Sequence, residues 1–145
     1  MKRALPEGTV GEGEALDDAA ALCFPRGQRL EYVQRRDGER CVWCGRGLPV
    51  GHAEASLEHL IPRVKGGPAW PENEVVACRG CNHARGHVSP VDWILRCRGE
   101  GRVPAQQLIR ERLGRLAEAI VRRGGQRRAR PYLDAQLRRW GRLEG

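Results

Sequence analysis

The fold of this 145-residue chain is decided by two short stretches, Cys41-Val42-Trp43-Cys44 and Cys78-Arg79-Gly80-Cys81. A gap of two residues lets both thiolates of a pair face one ion from a tight turn, and two pairs complete the four-sulfur tetrahedron that Zn²⁺ prefers. A redox disulfide or ordinary buried thiols are the alternatives, but a redox motif normally occurs once, on a strand–helix unit. The two stretches therefore predict a structural zinc site, whereas Cys23 and Cys97 are expected to be buried apolar residues.

The composition is that of one folded domain with a thin aromatic core. Hydrophobic residues make up 40% of the chain, but Phe, Tyr and Trp account for only 5%. A metal site would supply stability that such a core lacks. No stretch approaches the roughly 18 apolar residues that a membrane span requires, and residues 4–8 do not resemble a secretory signal. We therefore expect a cytoplasmic protein, in which paired cysteines more often hold metal than form disulfides.

The charge is concentrated in the last third of the chain. Residues 89–145 contain 14 Arg and 6 acidic residues, a net charge of +8 that equals that of the whole chain. A concentrated Arg field attracts phosphate polymers, so nucleic acid is the expected partner. The predicted organisation is a mobile lead-in with a possible short helix (1–27), a central domain (28–98) and an Arg-rich helical extension (99–145).

Secondary structure follows from apolar spacing and from capping residues. Between the two cysteine pairs, residues 55–61 and 74–77 are predicted to form short strands. Ser89 before Pro90 is a favourable helix start, because Ser caps the helix and Pro fits its first turn. Helices are accordingly predicted at 90–98, 104–123 and 131–143.

The insert between the cysteine pairs carries further polar residues in a distinctive order. It contains Glu58-His59-Leu60-Ile61-Pro62-Arg63, then Gly66-Gly67, then Asn73, and Asn82 follows the second cysteine pair directly. Over about residues 28–95, this order resembles the zinc-supported, four-cysteine members of the HNH endonuclease family. The resemblance implies an α+β fold: a small ββα-metal core (the HNH or His-Me finger) stapled by a four-cysteine zinc site, with flanking N-terminal and C-terminal helices.

The resemblance also implies a role for each polar residue of the insert. His59 would be the general base that activates water, a role that suits an imidazole near neutral pH. Glu58 and Asn82 would hold a divalent cation, and two oxygen donors suit Mg²⁺ or Mn²⁺. Successive residues of a strand face opposite sides of the sheet. The resemblance therefore implies a bend in the first strand that turns Glu58 and His59 toward one ion. The amide of Asn73 would hold the segment that bears the base.

Other polar residues near these motifs are less distinctive. Arg63, Lys65 and Arg85 are candidate phosphate contacts, although each is equally compatible with a surface charge. A helix is predicted to run from the second cysteine pair toward Gly86, and His83 and His87 are four residues apart there, a spacing that allows two side chains to face one ion. They are, however, offset by one residue from Asn82. A shift of one residue turns a side chain by about 100° around a helix, so we expect both histidines to be exposed or to cap the helix.

The sequence thus predicts a metal-dependent endonuclease that hydrolyses DNA phosphodiester bonds, with structural Zn²⁺ and catalytic Mg²⁺ or Mn²⁺. Two alternatives stay open: a catalytically inactive, zinc-stabilised nucleic-acid-binding module, and a phage packaging accessory protein. DNA is the expected partner, no membrane is expected, and the oligomeric state is not indicated by any motif.

Overall fold

The computed structural model describes residues 17–144, and within this range it shows a two-stranded antiparallel sheet with six α-helices. In chain order the elements are α1 (Asp18–Ala21), α2 (Arg26–Asp37), β1 (Ala55–His59), β2 (Glu74–Cys78), α3 (Arg79–Arg85), α4 (Pro90–Gly99), α5 (Gln106–Arg123) and α6 (Ala129–Glu144). The predicted α+β class is confirmed. Most of the predicted lead-in, residues 1–16, lies outside the described residues. None of the helices in residues 17–144 has the length and apolar character of a membrane span.

The helix ends largely follow the capping residues. The hydroxyl of Ser89 accepts a hydrogen bond from the backbone N–H of Asp92 at 3.2 Å, and α4 begins at Pro90 as predicted. Helix α2 begins at Arg26, directly after Pro25, whose fixed φ suits the start of a helix. Gly27 lies inside α2.

The two strands pair with a register that sets the geometry of the whole central region. Ala55 lies opposite Cys78, and His59 lies opposite Glu74. Helix α3 begins directly after β2, so the order is strand, strand, helix. Helix α2 packs against β2. The sheet is thus flanked by helices that bring side chains toward both ends of β1.

The connection from β1 to β2 is held by one buried amide side chain. Asn73 is fully buried, and its Oδ1 accepts a hydrogen bond from the N–H of Ile61 at 2.8 Å. Its Nδ2 donates to the carbonyl oxygens of Ile61 at 3.1 Å and Pro68 at 3.0 Å. Both groups of the amide therefore hold the segment that follows His59, two residues beyond the end of β1.

Gly67 lies where the connection from β1 to β2 folds back against its own residue Ile61. A Cβ atom built on Gly67 would be 1.8 Å from the carbonyl oxygen of Ile61 and 3.0 Å from Nδ2 of Asn73. Backbone on one side and a fully bonded amide on the other leave no room for a methyl group. The absence of a side chain at this position is therefore a condition for the turn.

Replacing Gly67 by Ala should lower the free energy of unfolding by about 2–4 kcal/mol, because the backbone must shift and the bonds of Asn73 must stretch. Chemical denaturation monitored by circular dichroism measures the change. Gly80→Ala is the matched control: it lies in α3 with no heavy atom within 4 Å of the added Cβ. The control should change stability by less than about 1 kcal/mol. Equal stability of the two variants would contradict the steric argument.

The Arg-rich C-terminal segment packs onto the central region through one continuous apolar core. Leu116 of α5 and Leu133 and Trp140 of α6 are buried in the same cluster as Leu57 and Val75 of the sheet. The helices predicted at 104–123 and 131–143 are both present, and their apolar stripes face this core. The predicted boundary between residues 98 and 99 stays a prediction.

Candidate metal site and active site

The four paired cysteines form a single cluster. Their Sγ atoms all lie within 4.8 Å of one another, and the side chains are those of Cys41, Cys44, Cys78 and Cys81. Four sulfurs around a zinc ion at about 2.3 Å would be about 3.8 Å apart, so the cluster fits a tetrahedral site. In residues 17–144 it is the one group of three or more Cys, His, Asp or Glu side chains close enough to hold a metal ion.

The backbone around the cysteines is arranged for thiolates. The N–H of Trp43 points at Sγ of Cys41, and the N–H of Cys81 points at Sγ of Cys78, each at 3.4 Å. The guanidinium of Arg102 lies 3.8 Å from Sγ of Cys81 and places positive charge beside the sulfurs. Donors and a cation around a sulfur cage stabilise negative charge, which metal binding requires.

The two remaining cysteines do not join this cluster. Cys97 is fully buried, as predicted. The corresponding prediction for Cys23 is wrong, since Cys23 is exposed just after α1, where the chain turns toward α2. An exposed thiol outside the cage is useful as a control for the metal site.

Glu58 and His59 face opposite sides of β1. The strand is regular through His59, and Glu58 pairs with Val75 while His59 pairs with Glu74. The side chain of Glu58 contacts Trp43 and Arg85, whereas that of His59 contacts Glu74. The bend expected to turn both toward one ion is therefore not present in β1, because the pairing with β2 continues to the last strand residue.

Glu58 is held in a buried polar contact. Its Oε2 accepts a hydrogen bond from Nε1 of Trp43 at 2.9 Å and lies 3.4 Å from Nη1 of Arg85. Burial raises the pKa of Glu58 above its usual range, and the charge of Arg85 and the bond from Trp43 offset this only in part. Both contacts involve Oε2, so Oε1 is the oxygen left for a further partner.

His59 lies beside a second buried carboxylate, Glu74. The Nε2 atom of His59 is buried and lies 3.2 Å from Oε2 of Glu74. Arg29 donates to both oxygens of Glu74, from Nε at 2.6 Å and from Nη2 at 2.9 Å. Burial opposes ionisation of Glu74, but the nearby imidazole of His59 and the two bonds from Arg29 outweigh it and hold the pKa of Glu74 below its usual range. The imidazole therefore has a carboxylate against one ring nitrogen.

Sequence reasoning missed Glu74 and Arg29. The available signal was a charged residue at the start of the otherwise apolar strand Glu74–Cys78. That signal identifies a partner for His59 only when the register of the two strands is known.

Asn82 is placed by α3 against β1. Its Nδ2 donates to Oγ of Ser56 at 3.0 Å and to the carbonyl oxygen of Leu57 at 3.3 Å. Ser56 and Glu58 are two residues apart on a strand, so their side chains share one face of the sheet. Asn82 therefore lies on the same side of β1 as Glu58, with its own Oδ1 not used in either bond.

Arg85 has a different role from the phosphate contact that was predicted. Its side chain is fully buried, and it donates to the carbonyl oxygens of His59 and Val88, both at 2.9 Å, and to that of Leu60. A guanidinium whose donors are taken inside the protein cannot reach a phosphate. Arg85 instead holds the end of β1 against α3.

The other candidate residues are at the surface. Arg63 and Lys65 are exposed in a 3-10 helical turn that follows Pro62. His83 is exposed on α3, and His87 follows Gly86, beyond the end of that helix. His83 therefore lies on α3, and His87 lies outside it.

Comparison with known proteins finds a similarity in the central region. Residues 41–91 match the sequence model of the HNH endonuclease family. Over 66 residues the chain is also 30% identical to the CRISPR-associated endonuclease Cas9 of Corynebacterium diphtheriae, a match that covers 45% of this chain. The matched part is about 6% of the length of that protein. The match to the family model spans both cysteine pairs, both strands and α3. Residues 41–91, which contain all four cysteines of the cluster, are therefore similar to the HNH endonuclease family.

Proposed function

We propose that this protein is a divalent-metal-dependent endonuclease that hydrolyses phosphodiester bonds of DNA. The observation that carries the proposal is the placement of His59 inside the region similar to the HNH endonuclease family, with Nε2 buried against Glu74 and part of the ring exposed at the end of β1. An imidazole with a carboxylate beside one ring nitrogen can use the other nitrogen as a proton acceptor.

In the proposed reaction, Nδ1 of His59 takes a proton from water. The resulting hydroxide attacks the phosphorus in line, the bond to the 3′ oxygen breaks, and that oxygen takes a proton from water. The products are a 5′-phosphate and a 3′-hydroxyl. The carboxylate of Glu74 stabilises the imidazolium that forms, and Arg29 keeps that carboxylate in place. Asn73 is a positioning residue, because its bonds to Ile61 hold the segment that follows the base.

Glu58 and Asn82 are the proposed ligands of the catalytic cation. Their unused oxygens, Oε1 and Oδ1, belong to side chains on the same face of β1, and oxygen donors suit Mg²⁺ or Mn²⁺. A bound cation would stabilise charge on the leaving 3′ oxygen. Because Glu58 and His59 face opposite sides, the proposal requires the end of β1 to turn when a phosphate is engaged. The four-cysteine cluster would hold Zn²⁺ with a structural role.

A second candidate is favoured by a specific observation. Glu58 is already bound to Trp43 and Arg85 and points away from His59. If that contact is permanent, the domain is a zinc-stabilised nucleic-acid-binding module without catalysis. The predicted cytoplasmic location is compatible with both candidates and stays a prediction.

A plasmid cleavage assay separates the two candidates. Zinc-loaded protein should convert supercoiled DNA to nicked or linear forms with added Mg²⁺ or Mn²⁺, and not without added divalent metal. If the protein binds the plasmid but cuts it under none of these conditions, the binding module is the correct assignment.

The ligand assignment predicts a change in metal dependence. Glu58→Gln should lower the cleavage rate at least tenfold and raise the Mg²⁺ concentration for half-maximal rate, because an amide is a weaker ligand than a carboxylate. The matched control is Glu54→Gln, a half-buried carboxylate just before β1 that we expect to leave both quantities unchanged. An unchanged metal dependence in Glu58→Gln would remove Glu58 from the ligand set.

A further inference from the structure

Two turns of the chain that are far apart in sequence lie in direct contact beside the proposed active site. One is the turn at residues 62–67, which follows β1, and the other is the connection between α5 and α6 at residues 124–128. The guanidinium of Arg128 donates to the carbonyl oxygen of Val64. A Cβ atom on Gly66 would lie 2.7 Å from Cβ of Arg128 and 3.1 Å from the backbone nitrogen of Ala129. The two turns therefore touch through their backbones.

A buried ion pair fixes this contact. Arg123 at the end of α5 donates two hydrogen bonds to Glu72, at 3.0 Å and 2.6 Å, and its guanidinium lies 4.5 Å from the ring centroid of Trp70. Glu72 is almost fully buried. A bidentate, buried pair of this kind orders both partners. The position of the α5–α6 connection is thus set by the segment that leads into β2.

The two turns together carry several positive charges, and neither turn contains an acidic residue. Residues 62–68 and 124–131 contain no Asp or Glu. The exposed cationic side chains of the pair of turns are Arg63, Lys65, Arg127, Arg128 and Arg130. In the described part of the chain, Arg63, Lys65 and Arg127 make no ion pair with a carboxylate. Their charges are therefore available to an external anion.

The location relates this surface to His59. Arg63 is four residues from His59, so their Cα atoms are at most about 14 Å apart. One strand of duplex DNA carries a phosphate about every 3.4 Å along the helix axis, so Arg63 lies within a span of about four phosphates from one bound at His59. A surface at this distance can bind the phosphates that flank a cleaved bond.

We infer that Arg63, Lys65, Arg127 and Arg128, named here the two-turn surface, hold the phosphate backbone of duplex DNA next to the active site. The inference rests on the proposed function for the identity of the ligand. Within the Arg-rich extension, it assigns the DNA contact to the connection between α5 and α6 and does not attribute DNA binding to the net charge of the whole extension. Arg123 belongs to the docking contact and not to the DNA surface.

The test compares two double variants that remove the same charge. Arg63→Gln with Arg127→Gln changes one exposed residue in each turn. Arg138→Gln with Arg142→Gln changes two exposed residues toward the other end of α6. Binding of a labelled 20-base-pair duplex is measured by fluorescence anisotropy over a series of NaCl concentrations, with zinc-loaded protein and no added Mg²⁺ or Mn²⁺, so that no DNA is cut.

The two-turn variant should bind about tenfold or more weakly at 0.1 M NaCl, and the slope of log K against log salt should fall by about 2. The α6 variant should change the affinity less than about threefold. Equal losses of affinity in both variants would show a diffuse charge effect and overturn the inference. Three other results would also overturn it: no loss in either variant, no binding by the wild type, or tighter binding of RNA of the same sequence. Because the assay needs no cleavage, a protein that binds through this surface but never cuts DNA contradicts only the proposed function.

Discussion

His59→Ala should lower the rate of plasmid cleavage by about 10²–10⁴-fold while leaving the fold intact, because a general base contributes an acceleration of this size. Glu74 would lose its contact with the imidazole but would keep both bonds from Arg29. The buried carboxylate therefore stays paired, and unfolding of the variant should resemble that of the wild type.

Chemical rescue distinguishes a missing base from a damaged site. Added imidazole should restore part of the activity of His59→Ala, because the cavity left by the side chain lies at the end of β1. His87→Ala is the matched control, since it removes an exposed imidazole beyond the end of α3 and should not alter the cleavage rate. Wild-type activity in His59→Ala would reject this residue as the base.

Loss of zinc should abolish the cooperative unfolding transition of the protein. In small zinc peptides, binding of structural zinc contributes an apparent free energy of about 10–16 kcal/mol to folding. The free energy of unfolding of a whole domain is only about 5–15 kcal/mol. The cysteine loop also carries backbone contacts: the N–H of Val42 donates to Val76 at 2.9 Å, and its carbonyl accepts from Ala105 at 2.7 Å. Opening the cage would free these bonds as well.

Metal analysis and one pair of variants check this prediction. The purified protein should retain one zinc ion per chain through gel filtration. Cys78→Ser should lose the zinc and the cooperative transition, whereas Cys23→Ser, which alters an exposed thiol outside the cage, should keep both. A wild-type protein without zinc, or a Cys78→Ser variant as stable as the wild type, would contradict the structural role of the metal.

Much of the fold was accessible from local sequence. The strands were predicted within two residues of Ala55–His59 and Glu74–Cys78, and the C-terminal helices were predicted from the period of their apolar residues. The resemblance to HNH endonucleases is confirmed by the family match over residues 41–91. The roles of Glu58, His59 and Asn82 stay proposals. The structure places Glu58 and Asn82 on one face of β1 and His59 on the other.

The sequence by itself determined the four-cysteine cluster and the order of strands and helices, and it supplied the residues proposed for phosphodiester chemistry. These features depend on spacing within short segments, which covalent geometry and capping control directly. Only the tertiary structure decided that Glu74 lies against His59, that Arg85 is buried, and that the α5–α6 connection rests on the turn at Gly66. Strand register and helix docking arise from the packing of residues far apart in the chain, so no local pattern specifies them.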